Sequence, residues 1–121
     1  MSMKKTILLV DDDADVLEST QYILMSEGYE VITGKNGEEA VTKYKENKPD
    51  ITFLDIRMPV MDGYDAFFKI KEFDPKAKVI FITTFSIDED KYTEAKKNGL
   101  LDLINKPFSL EDLKKIIAKY T

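Results

Sequence analysis

A chain of 121 residues, 43 % of them hydrophobic, suits one domain with a core of two or three layers. Having neither cysteine nor histidine, it excludes disulfides and thiolate metal sites, and any imidazole chemistry must come from another chain. The net charge of −5, with Arg57 the sole arginine among 18 basic residues, argues against a nucleic-acid partner, and no apolar run approaches the roughly 20 residues that span a bilayer.

Five short apolar runs alternate with five amphipathic stretches. The first run, Thr6–Val10, is apolar at almost every position, as a strand buried on both faces should be. Val16, Leu17, Thr20, Ile23 and Leu24 then recur at helical spacing, with Gly28 as the stop. The run Tyr29–Ile32 precedes a second helical face of Ala40, Val41 and Tyr44. The run Ile51–Leu54 precedes a third, Tyr64, Phe67, Phe68 and Ile70, ended by Asp74-Pro75. Val79–Ile82 is followed by a helix within Asp88–Asn98 that stops at Gly99. Leu100–Ile104 is followed by a helix that starts at Ser109, has Asp112 placed for a capping box, and buries Leu113, Ile116 and Ile117. Strand–helix alternation repeated in this way predicts an α/β fold, a parallel sheet with helices on both faces. No linker, repeat or low-complexity segment interrupts it. A secretory signal pattern is absent from the first residues, which fits a cytoplasmic location.

In an open parallel sheet, ligands bind beyond the carboxyl ends of the strands. Those ends are chemically sorted here. The first run leads into Asp11-Asp12-Asp13, the third into Asp55, the fourth into Thr83-Thr84, and the fifth into Asn105-Lys106-Pro107. Carboxylates gathered at one edge repel one another and call for a cation. An all-oxygen set suits Mg²⁺, which takes one or two carboxylates, water and phosphate oxygens. A carboxylate can be the nucleophile in phosphoryl transfer, and a lysine can neutralise a phosphoryl oxygen.

Three segments carry a family resemblance: Ile7-Leu8-Leu9-Val10-Asp11-Asp12; Leu54-Asp55-Ile56-Arg57-Met58-Pro59 with Met61-Asp62-Gly63; and Lys106-Pro107-Phe108. Together they resemble the signatures of response-regulator receiver domains, over essentially the whole chain from about Lys5 to Tyr120. The resemblance implies a (βα)5 doubly wound, flavodoxin-like (CheY-like) sandwich forming a single receiver domain over residues 1–121, without an output domain. It implies Asp55 as phosphoacceptor and Mg²⁺ held by Asp12, Asp55 and the backbone carbonyl of Arg57, with Asp11 contributing charge. The resemblance also implies that Lys106 pairs with the phosphoryl group and that the Lys106–Pro107 bond is cis. The implied donor is a phosphohistidine on a histidine kinase or phosphotransfer protein. The implied output is a downstream protein bound by the face of helix four, strand five and helix five. Thr83 is the expected switch hydroxyl, because it directly follows the strand and precedes a small residue, whereas Thr84 gives the commoner spacing to Lys106. Leu103 stands where the family often has an aromatic residue, so the aromatic part of the switch is expected elsewhere, with Phe85 the best candidate.

Asp11 and Asp13 also fit the paired acids of haloacid-dehalogenase-like phosphatases, although Asp15 stands where that family prefers Thr or Val. Asp11, Asp13 and Asp15 have the first spacings of a calcium-binding loop, but Val16 replaces its glycine and Tyr22 its bidentate glutamate. A flavin or nucleotide binder would need a glycine-rich turn after the first strand, where this chain has three acids. The bland reading of Asp11–Asp13 is a helix cap, for which one acid suffices.

Overall fold

A computed structural model describes residues 4–84 and 87–121, and within them each apolar run of the sequence enters one sheet. The elements, in chain order, are β1 (Thr6–Val10), α1 (Ala14–Ser26), β2 (Glu30–Gly34), α2 (Gly37–Asn47), β3 (Ile51–Asp55), α3 (Gly63–Phe73), β4 (Val79–Thr83), α4 (Glu89–Lys97), β5 (Asp102–Asn105) and α5 (Leu110–Tyr120). All strand pairs are parallel, in the order β2-β1-β3-β4-β5. This is the doubly wound (βα)5 arrangement, and its order reverses direction between β1 and β3. The carboxyl ends of those two strands therefore flank the crevice where such sheets bind ligands.

Because successive strand residues point to opposite faces, each strand feeds two cores. Ile7, Leu9, Phe53, Ile80 and Ile82 pack with Leu17 and Leu24 of α1 and Leu113 and Ile117 of α5. Leu8, Val10, Leu54, Val79 and Phe81 pack with Ala40 and Tyr44 of α2, Phe67 and Ile70 of α3, and Ala95 of α4. Side-chain caps start the helices: Asp13, Asn36, Asp62, Asp88 and Ser109 each accept from backbone amides of the first turn, and Ser109 with Asp112 completes the expected capping box. Gly28 and Gly99 take φ of 96° and 97° beyond the ends of α1 and α4, a left-handed conformation that glycine adopts without steric cost. Among the described residues, no helix is long and apolar enough to cross a membrane.

Local differences from the sequence reading have physical causes. β2 runs to Gly34 because Thr33 and Gly34 continue the pairing with Leu9 and Val10. β5 begins at Asp102, since Leu100 instead closes α4 by donating its amide to the Ala95 carbonyl. Ile23 is 42 % exposed: α1 meets the sheet along Leu17, Thr20 and Leu24, and Ile23 sits over the edge of that stripe. Val16 and Ile116 are half-buried.

Tyr44 Oη donates to Asp74 Oδ2 at 2.7 Å, tying α2 to the end of α3. That bond, with the Lys76 amide, holds Asp74 below the usual carboxylate range. Such a group contributes stability above its unfolded pKa and loses it as pH falls through the lowered folded value. Tyr44→Phe is therefore expected to cost about 1 kcal/mol at neutral pH. Urea unfolding should show the gap to wild type closing once pH drops below roughly 3.9.

Candidate functional site

The chemistry sits on the carboxyl edge of the sheet. Asp55 is the last residue of β3 and is 6 % exposed. Asp11 follows β1 directly, is 1 % exposed, and donates its amide to the Gly34 carbonyl of β2. Asp12 is exposed beside it. Thr83 ends β4 buried, whereas Thr84 is exposed. Lys106 follows β5, and its amide donates to the Thr83 carbonyl at 2.8 Å.

The lysine side chain crosses the end of β4 to reach both buried acids. Its Nζ lies 3.2 Å from Asp55 Oδ2 and forms a close ion pair with Asp11 Oδ2. The other oxygens are fixed by amides: Arg57 N donates to Asp55 Oδ1 at 3.2 Å, and Asp13 N donates to Asp11 Oδ1 at 3.0 Å. The peptide bond between Lys106 and Pro107 is cis.

Oxygens of Asp11, Asp12 and Asp55 lie within 4.8 Å of one another. The Lys106 ammonium faces more carboxylate charge than it can neutralise. Asp55 records the imbalance. Burial pushes its pKa up to about 6; the Asp11 carboxylate adds to the rise, and Lys106 only partly opposes it. Burial works against the charge on Lys106, but the two acids outweigh it and raise its pKa, so the lysine stays protonated. Apart from the ion pair, Asp11 Oδ2 has no hydrogen-bond partner although it is buried. An oxygen-only donor set of Asp11, Asp12 and Asp55 with surplus negative charge is what a small hard cation such as Mg²⁺ fits.

Asp13 is not part of this cluster. Its carboxylate caps α1, accepting from the amides of Asp15 and Val16. The bland reading thus holds for one of the three acids, and the phosphatase alternative loses the acid–base partner it required. Gly63 is explained by close approach, since a Cβ there would fall 2.4 Å from the Asp55 carbonyl oxygen. Asp62 beside it caps α3. Leu103 is half-buried against the α2–α3–α4 core. Phe85, the expected substitute for an aromatic at that position, lies outside the described residues.

The family model of the response regulator receiver domain matches residues 7–118. The chemotaxis protein CheY of Thermotoga maritima is 45 % identical over 107 residues, covering 88 % of each chain. A CheY-like receiver domain protein from Methanospirillum hungatei superposes with a TM-score of 0.90 at 31 % identity, over 97 % of this chain and 93 % of that one. CheY in the CheX-CheY-BeF3-Mg²⁺ complex from Borrelia burgdorferi superposes with a TM-score of 0.84 at 35 % identity, over 97 % of this chain and 90 % of that one. The chain belongs to the response regulator receiver domain family and is of the CheY-like kind. It is a signalling domain of two-component systems rather than a classical enzyme.

The raised pKa of Asp55 has a sign that can be tested. Folding moves it from 3.8 to about 6, so its charge opposes the fold above that range, and the penalty vanishes as pH falls below 3.8. In the presence of a chelator, Asp55→Asn should raise the melting temperature at pH 7.5 by several degrees, on the order of 1–3 kcal/mol. Thermal unfolding followed by circular dichroism should show the gain shrinking steadily towards pH 4.

Proposed function

We propose that this receiver accepts a phosphoryl group on Asp55 from a phosphohistidine of a histidine kinase or phosphotransfer protein. The observation that carries the reading is the buried Asp55 carboxylate, 3.2 Å from Lys106 Nζ, with Asp11 and Asp12 within 4.8 Å. A carboxylate oxygen of Asp55 attacks phosphorus, the P–N bond of the donor breaks, and an aspartyl phosphate forms. Little covalent chemistry is asked of the protein, because such transfers depend on positioning and charge neutralisation. The Arg57 amide orients the Asp55 carboxylate, and Lys106 follows the charge onto the transferred group. Thr83, buried at the end of β4 with its carbonyl bonded to the Lys106 amide, is the hydroxyl proposed to meet a phosphoryl oxygen. Mg²⁺, when bound, would neutralise phosphoryl charge; Asp12, Asp55 and the Arg57 backbone carbonyl would hold it, with Asp11 adding charge. Water returns the site to its resting state by hydrolysing the acyl phosphate.

The magnesium and beryllium fluoride named with the Borrelia relative support the same ligand chemistry here. CheX in that complex supports a protein as the kind of partner such a receiver contacts. In this chain the surface of α4, β5 and α5 is the proposed docking face for a downstream protein, and the site of action is the cytoplasm. Residues 1–121 act as one receiver unit.

Incubation with Mg²⁺ and a small acyl-phosphate donor should add one phosphoryl group by mass spectrometry, labile in base and stable in acid relative to phosphohistidine. Asp55→Asn should abolish it, and full-rate labelling of that variant would refute the assignment. Lys106→Ala should slow labelling by on the order of 10²-fold, the scale at which a single electrostatic contact to the transition state acts.

Mg²⁺ titration separates the acids that the sequence placed side by side. Asp12→Ala should lose binding with the fold intact. Asp13→Ala should keep binding but destabilise the protein by about 1 kcal/mol, the usual worth of an N-cap. Isothermal titration and thermal melts of both variants check this, and equal loss of binding would place both acids at the metal.

A further inference from the structure

A phosphoryl group at Asp55 can influence α4 only through groups that touch both the loop after β3 and the start of that helix. Tyr64 does so. It lies in the first turn of α3 and is 4 % exposed. Gly63 before it donates its amide to the Ile56 carbonyl at 2.7 Å and is pressed against the Asp55 carbonyl, so Tyr64 is attached to backbone in direct contact with that of Asp55. Its ring meets Phe81 edge-on, with centroids 5.2 Å apart. Phe81 lies two residues before Thr83 on β4 and is paired in register with Leu103. On its far side, the Tyr64 hydroxyl faces the backbone carbonyl of Asp88, the N-cap of α4, at 3.4 Å. Lys91 of α4 stands over the same ring at 5.8 Å.

At 3.4 Å the hydroxyl is beyond the ordinary O–H···O range, so the bond is weak in this conformation. An open cleft of about 320 Å³, bordered by Met58, Tyr64, Asp88 and Lys91, leaves the start of α4 room to close on it. A bond that is loose in one arrangement and tight in another is the differential contact a two-state switch requires.

We propose that Tyr64 is the positioning residue that passes the state of Asp55 to α4, its hydroxyl closing on the Asp88 carbonyl when the site is phosphorylated. The inference rests on the reading of Asp55 as phosphoacceptor. Closure of the start of α4 over the cleft would shorten this contact, and the Tyr64 ring already packs edge-on against Phe81, the register partner of Leu103.

The test compares the full chain with Tyr64→Phe, which keeps the ring and removes the hydroxyl. Both proteins are titrated with beryllofluoride and Mg²⁺ and followed by amide shifts, with ¹³Cζ-labelled tyrosine in the wild type. The expected result has three parts. The Tyr64 ¹³Cζ resonance moves on beryllofluoride binding. Residues 88–95 respond in the wild type, and that response falls by roughly half or more in Tyr64→Phe. The loops around Asp12 and Asp55 respond alike in both, and acyl-phosphate labelling rates agree within about twofold, as they should if the hydroxyl does not touch the reacting atoms. An unchanged response of residues 88–95 in Tyr64→Phe, or an unmoved ¹³Cζ resonance, overturns the latch while leaving the phosphoacceptor reading intact. Silence of the Asp12 and Asp55 loops in the wild type overturns both.

Discussion

Lys106 Nζ is a positive charge that joins the ends of β1, β3 and β5. Its backbone amide is bonded to the end of β4, and its side chain passes over that strand to Asp55 and Asp11. Four of the five strand ends are thus tied to a single residue. The arrangement is possible only because the sheet is parallel and its order reverses between β1 and β3, which brings the carboxyl ends of separate sequence segments to one crevice. The same contact explains why the site is not at electrostatic rest. One ammonium cannot neutralise three carboxylates, and the burial that makes the ion pairs strong also makes the surplus charge costly.

That cost is met by the rest of the fold. β3 and β4 are buried at every residue, and both faces of the sheet are covered by helices. The stability lies in two apolar cores whose packing does not depend on the acids. The frustration is confined to the edge, where loops rather than strands absorb movement. A cation or a phosphoryl group arriving there changes the balance of forces on β3, β4 and β5 together, since Lys106 and the Thr83 carbonyl link them. The scaffold is rigid so that a small electrostatic change is felt as a displacement of loops rather than dispersed through the core.

Most of the architecture was legible because it rests on periodicities that sequence displays directly. Apolar runs such as Val79–Ile82 cannot face water on either side, and glycines at 28 and 99 stop helices for a backbone reason. The gathering of Asp11, Asp12, Asp55 and Lys106 was legible too, because parallel order turns strand-end position into spatial proximity. What the sequence did not display were differences set by side-chain direction. Asp11, Asp12 and Asp13 are identical residues in a row, yet one is buried against Lys106, one is exposed beside the cluster, and one caps α1. The exposure of Ile23 and the late start of β5 are likewise outcomes of packing angle and pairing that no local pattern encodes.

Tyr64 is the instructive case. Its spacing with Phe67 and Ile70 marks a buried helix face, and that reading is correct for the ring. The hydroxyl is invisible to periodicity, because its partner is a backbone carbonyl 24 residues away in sequence. A buried phenol is generally costly unless its oxygen is satisfied, so a tyrosine in a core position where phenylalanine would pack as well points to a polar demand. Here the nearest carbonyl satisfies it only weakly. The residual demand falls on the start of α4, the element that follows the segment leaving Thr83. If a single directional hydrogen bond is the proposed latch, two states that differ by it are separated by a small free energy, which favours a graded shift of population over an all-or-none transition.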